Sequence, residues 1–330
     1  MNDWRLAEIW NKALEVNEQR PVKSRDNLWA SELGKSPIDL FLKLKGTEPT
    51  NPPNARSLRK FEAGNVFEWI VSLILKRAGI LTESQKWSSY QYPDLLKVTG
   101  KADFIAGGIP EVKNAIDELK NLGIPQVFIR GAESIAMYLE DKGELKTKPL
   151  EIKSVSAFMF DAIEKSGKAM KNHRMQLFHY LKSDNYTQGA IIYICRDDLR
   201  MFEIPVFNPS AVEDEYREAI TTISKFVQED KQPPLEKEII FDEEFGRFSQ
   251  NFNVGYSGYL TMLYGYKDQK EVDDKNRPIV SKWNRVLARA KDKKNLTPKN
   301  LDVIEEIKKS SFNFDECVKF ALVEEEEEIN

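Results

Sequence analysis

Apolar residues recur every three to four positions between residues 57 and 78, with Leu58, Phe61, Phe67, Ile70 and Ile74 among them, and Gly79 follows. That period predicts a long amphipathic helix. The same period predicts helices over residues 4–16, 38–44, 156–165, 168–183 and 211–229. Apolar and β-branched runs predict strands at residues 86–92, 97–106 and 148–155. Two more runs, 189–196 and 200–206, flank Asp197-Asp198-Leu199 and predict a hairpin. On the strand 97–106, alternation turns Val98, Gly100, Ala102 and Phe104 inward and Thr99, Lys101 and Asp103 outward.

Read in order, the elements predict an α/β fold, a mixed central β-sheet flanked by helices. Residues 1–55 form an N-terminal helical region, with a Pro- and Asn-rich loop at 47–56, and residues 56–232 form the core. The stretch 107–147 interrupts the sheet and reads as an insertion with two short helices. Past Pro233-Pro234 the chain becomes aromatic and charged, which predicts a C-terminal helical extension over 233–323. The acidic tail 324–330 is expected to be solvated and disordered.

Composition narrows the class. The longest apolar runs, such as Trp69 to Leu75, fall short of a membrane span, so no membrane partner is expected. The first residues lack the basic-then-apolar layout of a secretory signal, which predicts a cytoplasmic setting. Cys195 and Cys317 are too few thiolates for a zinc ribbon or an iron-sulfur cluster and read as buried thiols. Net charge is −4, but Glu324 to Glu328 supply five negatives and leave the rest of the chain near +1. Overall charge therefore does not decide for or against nucleic acid. No phosphate-cradling Gly-x-x-x-x-Gly-Lys-Ser/Thr loop occurs, which argues against nucleotide hydrolysis.

Candidate chemistry lies in four fragments. Glu68 stands in the middle of the long helix, with Gly64 and Ser72 four residues to either side. Asp103 follows Gly100-Lys101-Ala102, and Glu151-Ile152-Lys153 places a carboxylate and an ammonium on one strand face. Gln176 and Tyr180, four apart, share a helix face, with Lys171, Arg174 and His173 nearby as further candidate DNA contacts. If the two strands are neighbours, Asp103 and Glu151 can grip a hard cation such as Mg2+ or Mn2+, and Lys153 can orient or deprotonate a water. That set suits metal-dependent phosphodiester cleavage. Taken singly, Glu151 and Lys153 also read as a solvated ion pair, and Tyr180 as a half-buried core residue. His179 reads as inert. Lys282, Arg285, Arg289 and Lys293 around Trp283 read as a solvated helix surface or a phosphate-tracking face, and Tyr256, Tyr259, Tyr264 and Tyr266 as packing or base-stacking groups.

The series Gly-x-x-x-Glu68, Gly-x-Ala-Asp103, Glu151-Ile152-Lys153 and Gln176-x-x-x-Tyr180 resembles the PD-(D/E)XK nuclease superfamily in its RecB-like branch, over roughly residues 31–206. The resemblance implies a restriction-endonuclease-like core acting on DNA, with Asp103, Glu151 and the Ile152 carbonyl binding one or two Mg2+ or Mn2+ ions. It implies that Lys153 is catalytic, that Glu68 assists at the metal, and that Gln176 and Tyr180 shape the site and contact DNA. With two cysteines, the nearer comparison is a cluster-free nuclease, lambda-exonuclease-like or of a CRISPR-associated type without the iron-sulfur cluster, rather than the cluster-bearing relatives. The expected activity is an exonuclease in recombination, repair or replication of phage or bacterial DNA, with a recombination or replication protein as partner. The alternative is a non-catalytic DNA-binding or assembly protein on the same fold.

Overall fold

Pro37 begins helix α1 (Pro37–Leu44) at a position where its missing N–H costs nothing, in the computed structural model of the chain. The structure describes residues 5, 8, 10, 12–14, 22–131, 134–135, 138–139, 142–207, 210–243, 246–292 and 296–327. The helix expected over residues 4–16 and Lys293 lie largely or wholly outside them. Two compact units emerge: Met1–Thr47 with Pro53–Pro233, and Glu48–Pro52 with Pro234–Asn330. No helix among the described residues is long and apolar enough to cross a membrane.

In the first unit, Asn54 caps α2 (Ala55–Arg77), its Oδ1 accepting from the Ser57 amide at 3.0 Å. Gly79, at φ +62°, turns the chain out of the helix where a Cβ would meet the Glu111 backbone at 2.4 Å. Strand β2 (Leu81–Tyr90) then runs antiparallel along one edge of β3 (Lys97–Gly108). The other edge of β3 is shared. A short strand that the periodicity did not predict, β1 (Asn27–Trp29), pairs parallel with Lys97–Thr99. Farther along, β4 (Leu145–Val155) pairs antiparallel from Phe104↔Leu150 to Gly108↔Leu145. Between those two ladders, Gly100 to Asp103 has no strand on that edge among the described residues.

Helices α3 (Val112–Asn121) and α4 (Gln126–Ile129) occupy the expected insertion between β3 and β4. A parallel pair needs a crossover. That between β4 and β5 (Gln188–Cys195) is built by α5 (Ala157–Ser166) and α6 (Lys171–Ser183). The predicted hairpin joins β5 to β6 (Met201–Phe207), completing a mixed six-stranded sheet. Both faces are covered. Val71 and Leu75 of α2 pack on Phe104, Leu150, Ile152, Ala190, Ile192 and Ile194. On the opposite face a Cβ added to Gly189 would stand 3.1 and 3.2 Å from Leu177 and Leu181 of α6. Behind α6 lies α7 (Ser210–Gln228), with Tyr216 edge-on to Phe178 at 5.3 Å. A sheet covered on both sides explains why β5 is one apolar run rather than an alternation.

One expectation fails on β3. Phe104 packs toward α2, whereas a Cβ on Gly100 would meet Tyr180 and His179 of α6 at 2.9 and 3.3 Å. Both are even-numbered, so a regular strand would put them on one face. The alternation therefore reverses between them, and Asp103 is buried at 9% exposure rather than facing out. The partner strand shows the cause: Gln85, between the pairs Ser84↔Phe104 and Lys86↔Ala102, has the left-handed φ of +53°.

The second unit was expected to be helical, and it also holds a two-stranded sheet, β7 (Ile239–Asp242) with β8 (Arg247–Gln250). Helices α8 (Phe252–Gly255), α9 (Leu260–Tyr264), α10 (Gln269–Lys291), α11 (Pro298–Lys309) and α12 (Phe314–Glu327) follow. Phe248 of β8 packs with Trp283, Leu287, Ile307 and Phe314 in its core. Because α12 runs to Glu327, most of the acidic run continues a helix rather than forming a disordered tail. Trp283 is core, and Lys282 is paired with Glu306 at 2.6 Å. Tyr259 is buried, Tyr264 and Tyr266 pack on Val254, Leu260 and Val272, and Tyr256 is exposed against Phe252.

Candidate active site

At the reversal on β3 the sheet opens, and four charged side chains gather. One step beyond the last ladder pair, Phe104↔Leu150, stand Asp103 and Glu151. The ladder is broken there because the Ile152 amide donates to Asp103 Oδ2, at 2.7 Å. Tyr180 donates its hydroxyl hydrogen to the Lys101 carbonyl at 2.8 Å, satisfying part of the β3 edge that no strand covers.

Glu151 and Lys153 point together, as strand periodicity requires, with Nζ 2.7 Å from Oε1. Lys153 also donates to Gln176 Oε1 at 3.0 Å, and Gln176 Nε2 donates to the Tyr180 hydroxyl at 3.1 Å. Gln176 and Tyr180 are 7% and 1% exposed, so these contacts fix the ammonium from the α6 side. A lysine with two oxygen partners has lost much of its rotamer freedom, which is how a strand residue becomes a positioned group.

The carboxylates are held in unusual states. Glu151 is 1% exposed, and burial pushes its carboxyl up to about 8, with Asp103 and Glu68 adding to the rise and Lys153 opposing it. Burial likewise raises Asp103, against the pull of Lys153 and the Ile152 amide. Glu68, half-buried on α2, is pushed up to about 7 by burial and then by Asp103, with Lys153 and Lys101 opposing. Burial lowers Lys153, but Glu151 and Asp103 outweigh it and hold the ammonium above its ordinary value. Glu68 feels Asp103 and Lys153, and Glu151 and Lys153 feel Glu68, so Glu68 belongs to the cluster. Gly64, one turn earlier, brings α2 close to β4: a Cβ there would lie 3.8 Å from Ser154 Oγ.

Among the described residues, no three His, Cys, Asp or Glu side chains already converge as a metal cage. The donor set nonetheless fits a hard cation. Glu151 Oε2 is buried without a hydrogen-bond partner. A buried carboxylate oxygen left bare is costly, and a divalent ion beside Asp103 would satisfy it.

Other expected groups are spent elsewhere. His173 Nδ1 pairs with the Tyr193 hydroxyl at 2.9 Å, and burial lowers the imidazole to about 3, so it is neutral near pH 7. Arg174 donates to the Ala169 carbonyl at 2.6 Å and lies 3.8 Å from Glu215. Lys171 is exposed at the start of α6. His179 is a core residue, stacked on Tyr216 with Nδ1 2.8 Å from its hydroxyl.

Gln85 is the site residue that sequence reasoning missed. Its amide donates to Glu68 Oε2 at 3.5 Å and also hydrogen-bonds Asp103, opposing the upward push of burial there. Nothing in a run such as Glu83-Ser84-Gln85-Lys86 signals a left-handed residue inside a strand. Gln85→Gly should keep or slightly raise the melting temperature, since glycine adopts this φ freely and other residues pay about 1 kcal/mol. The lost amide should lower activity about 10-fold or more, as loss of a group that orients metal ligands does. Thermal melts run beside cleavage assays test both halves, and unchanged activity would remove Gln85 from the site.

No protein-family model matches this chain, and no curated protein does. Among solved structures, one titled SSO0001 matches with TM-score 0.42 and 17% identity, over 71% of this chain and 90% of that one. An alkaline exonuclease, LHK-Exo, from Laribacter hongkongensis matches with TM-score 0.38 and 12% identity, over 68% of this chain and 93% of that one. Its complex with dAMP matches to the same extent.

Proposed function

We propose that this protein is a Mg2+- or Mn2+-dependent deoxyribonuclease, an exonuclease rather than an endonuclease, working in recombination, repair or replication. The observation that carries the reading is Lys153, clamped between Glu151 and Gln176 beside the buried Asp103. An ammonium fixed next to two carboxylates of raised pKa is costly for stability alone and suits a site that handles phosphate and water.

Asp103, Glu151, the Ile152 carbonyl and Glu68 would hold one or two ions, which supply charge neutralisation at the scissile phosphate and activation of water. Lys153 orients that water and balances the charge building on the phosphate oxygens. Gln176 and Tyr180 act by keeping Lys153 in place, and Lys171 offers a cation to a neighbouring phosphate. Burial of Asp103 and Glu151 keeps bulk water from screening these charges.

Purified protein incubated with Mg2+ on end-labelled linear duplex, single-stranded and closed circular DNA tests the reading. Loss of linear DNA with survival of circles is expected. Cleavage of circles would make it an endonuclease, and no cleavage of any form would remove the activity. A second reading is a DNA-binding or assembly protein on the same fold. Calorimetric titration with Mn2+ separates the two, since only the nuclease reading requires the carboxylates to bind it.

A further inference from the structure

Three side chains beside the carboxylates have no part in the chemistry above. Pairing places Trp29 opposite Thr99 and Trp87 opposite Lys101. Cross-strand partners share a face. Gly100 faces α6, so Thr99 and Lys101, with both tryptophans, face the other way, the side from which α2 presents Glu68. The indole centroids are 5.5 Å apart at 44°, and Lys101 Nζ stands 5.3 Å from the centre of the Trp87 ring. Trp87 is 59% exposed. Leaving so large an apolar ring in water is unfavourable unless something covers it.

We propose that Trp87 and Trp29, with Lys101, form a stacking platform for the base of an unpaired nucleotide whose phosphate lies at Asp103 and Glu151; the placement of that phosphate rests on the nuclease reading. A base offers two flat faces on a charged backbone, and the platform offers one exposed indole, Trp87, backed by the partly buried Trp29 and flanked by a cation, so shape and charge agree. Lys101 lies two residues from Asp103 on an extended strand, about 7 Å, within reach of one nucleotide. Stacking on an aromatic ring tolerates every base, because each has a π face. Bases inside a duplex present no such face, so the platform selects single-stranded or frayed ends. A protein partner is the competing occupant, but a lysine set over the indole at the rim of a phosphate site favours nucleic acid.

The test uses the full chain carrying Lys153→Met, so that bound strands stay intact, and a fluorescently labelled oligothymidylate followed by anisotropy. Adding Trp87→Ala should raise Kd about 5- to 150-fold, the range that loss of one stacked base gives. Trp87→Phe should recover most of the affinity. An abasic strand of equal length should bind equally well with Trp87 intact and with Trp87→Ala. Circular dichroism checks that each variant is folded. Binding of both Trp87 variants within about twofold of the parent overturns the platform, as does an abasic strand that is equally sensitive. A change in sedimentation with no change in strand affinity also overturns it, by showing that the indoles contact a second copy of the chain. Cleavage by the protein with Lys153 intact is scored separately. Absence of cleavage together with Trp87-dependent binding would sink the nuclease reading and keep the platform, whereas cleavage with Trp87-independent binding would sink the platform alone.

Discussion

Lys153→Met is expected to slow DNA cleavage by about 10²–10⁴-fold, the usual worth of a positioned proton-transfer group, while DNA affinity changes little. Methionine matches the length of the lysine stem, so packing between β4 and α6 is kept and the charge alone is lost. The danger is Glu151, which has Lys153 at 2.7 Å and is 1% exposed. Stranding a buried charge costs about 3–5 kcal/mol. Glu151 escapes that cost by keeping a proton, because its carboxyl already titrates at about 8 with the ammonium beside it, and removing the ammonium removes the main opposing influence. The sign follows from linkage. A carboxyl whose folded pKa lies above its unfolded value binds more protons in the folded chain, so stability falls as pH rises from about 4.5 through the folded pKa. The variant should melt close to the parent at pH 6 and progressively below it toward pH 9. Single-turnover cleavage and melts at both pH values check this, and cleavage within tenfold of the parent would show that Lys153 is no catalytic group.

Much of this arrangement is legible in the sequence because strand and helix periods are local. Glu151 and Lys153 share a face by the two-residue repeat, and Gln176 and Tyr180 share one by the helical repeat; the contacts of Lys153 with Glu151 and Gln176 follow once β4 and α6 face each other. The fold class is readable for the same reason, since the order of periods fixes the layers. What is not legible depends on breaks in a period. Asp103 reads as an outward residue until Gln85 adopts a left-handed φ and reverses the alternation opposite it. The three residues of β1 are too few to show a period at all, yet they bring Trp29 to the site. Similarly, β7 and β8 have four residues each, and their pairing depends on the tertiary fit of Phe248 against Trp283. His173 and Arg174 read as candidate DNA contacts beside Gln176, but Tyr193 and Glu215 on other elements claim them.

Removing divalent ions is expected to abolish cleavage, and adding Mg2+ or Mn2+ should raise the melting temperature more at pH 8.5 than at pH 6. The pH dependence is the informative half. Protons and a metal compete for the same oxygens. Glu151 titrates at about 8, Glu68 at about 7, and Asp103 is raised above its ordinary value, so at pH 6 the first two are mostly protonated and a cation must displace those protons. As pH rises through 7 and 8 that competition ends, while the metal-free protein loses stability because it must ionise buried carboxyls. These are one linkage seen from the bound and the metal-free states, and it enlarges the shift. A ligand at 100 times its Kd adds about 2.7 kcal/mol, so the change is well within reach of thermal melts. Glu151→Gln tests this linkage, because an amide does not ionise. Its metal-free form should melt above the parent at pH 8.5, its response to Mn2+ should shrink, and its cleavage should be lost. An equal response to Mn2+ at both pH values, or in Glu151→Gln and the parent, would mean that the ion binds somewhere other than between Asp103 and Glu151.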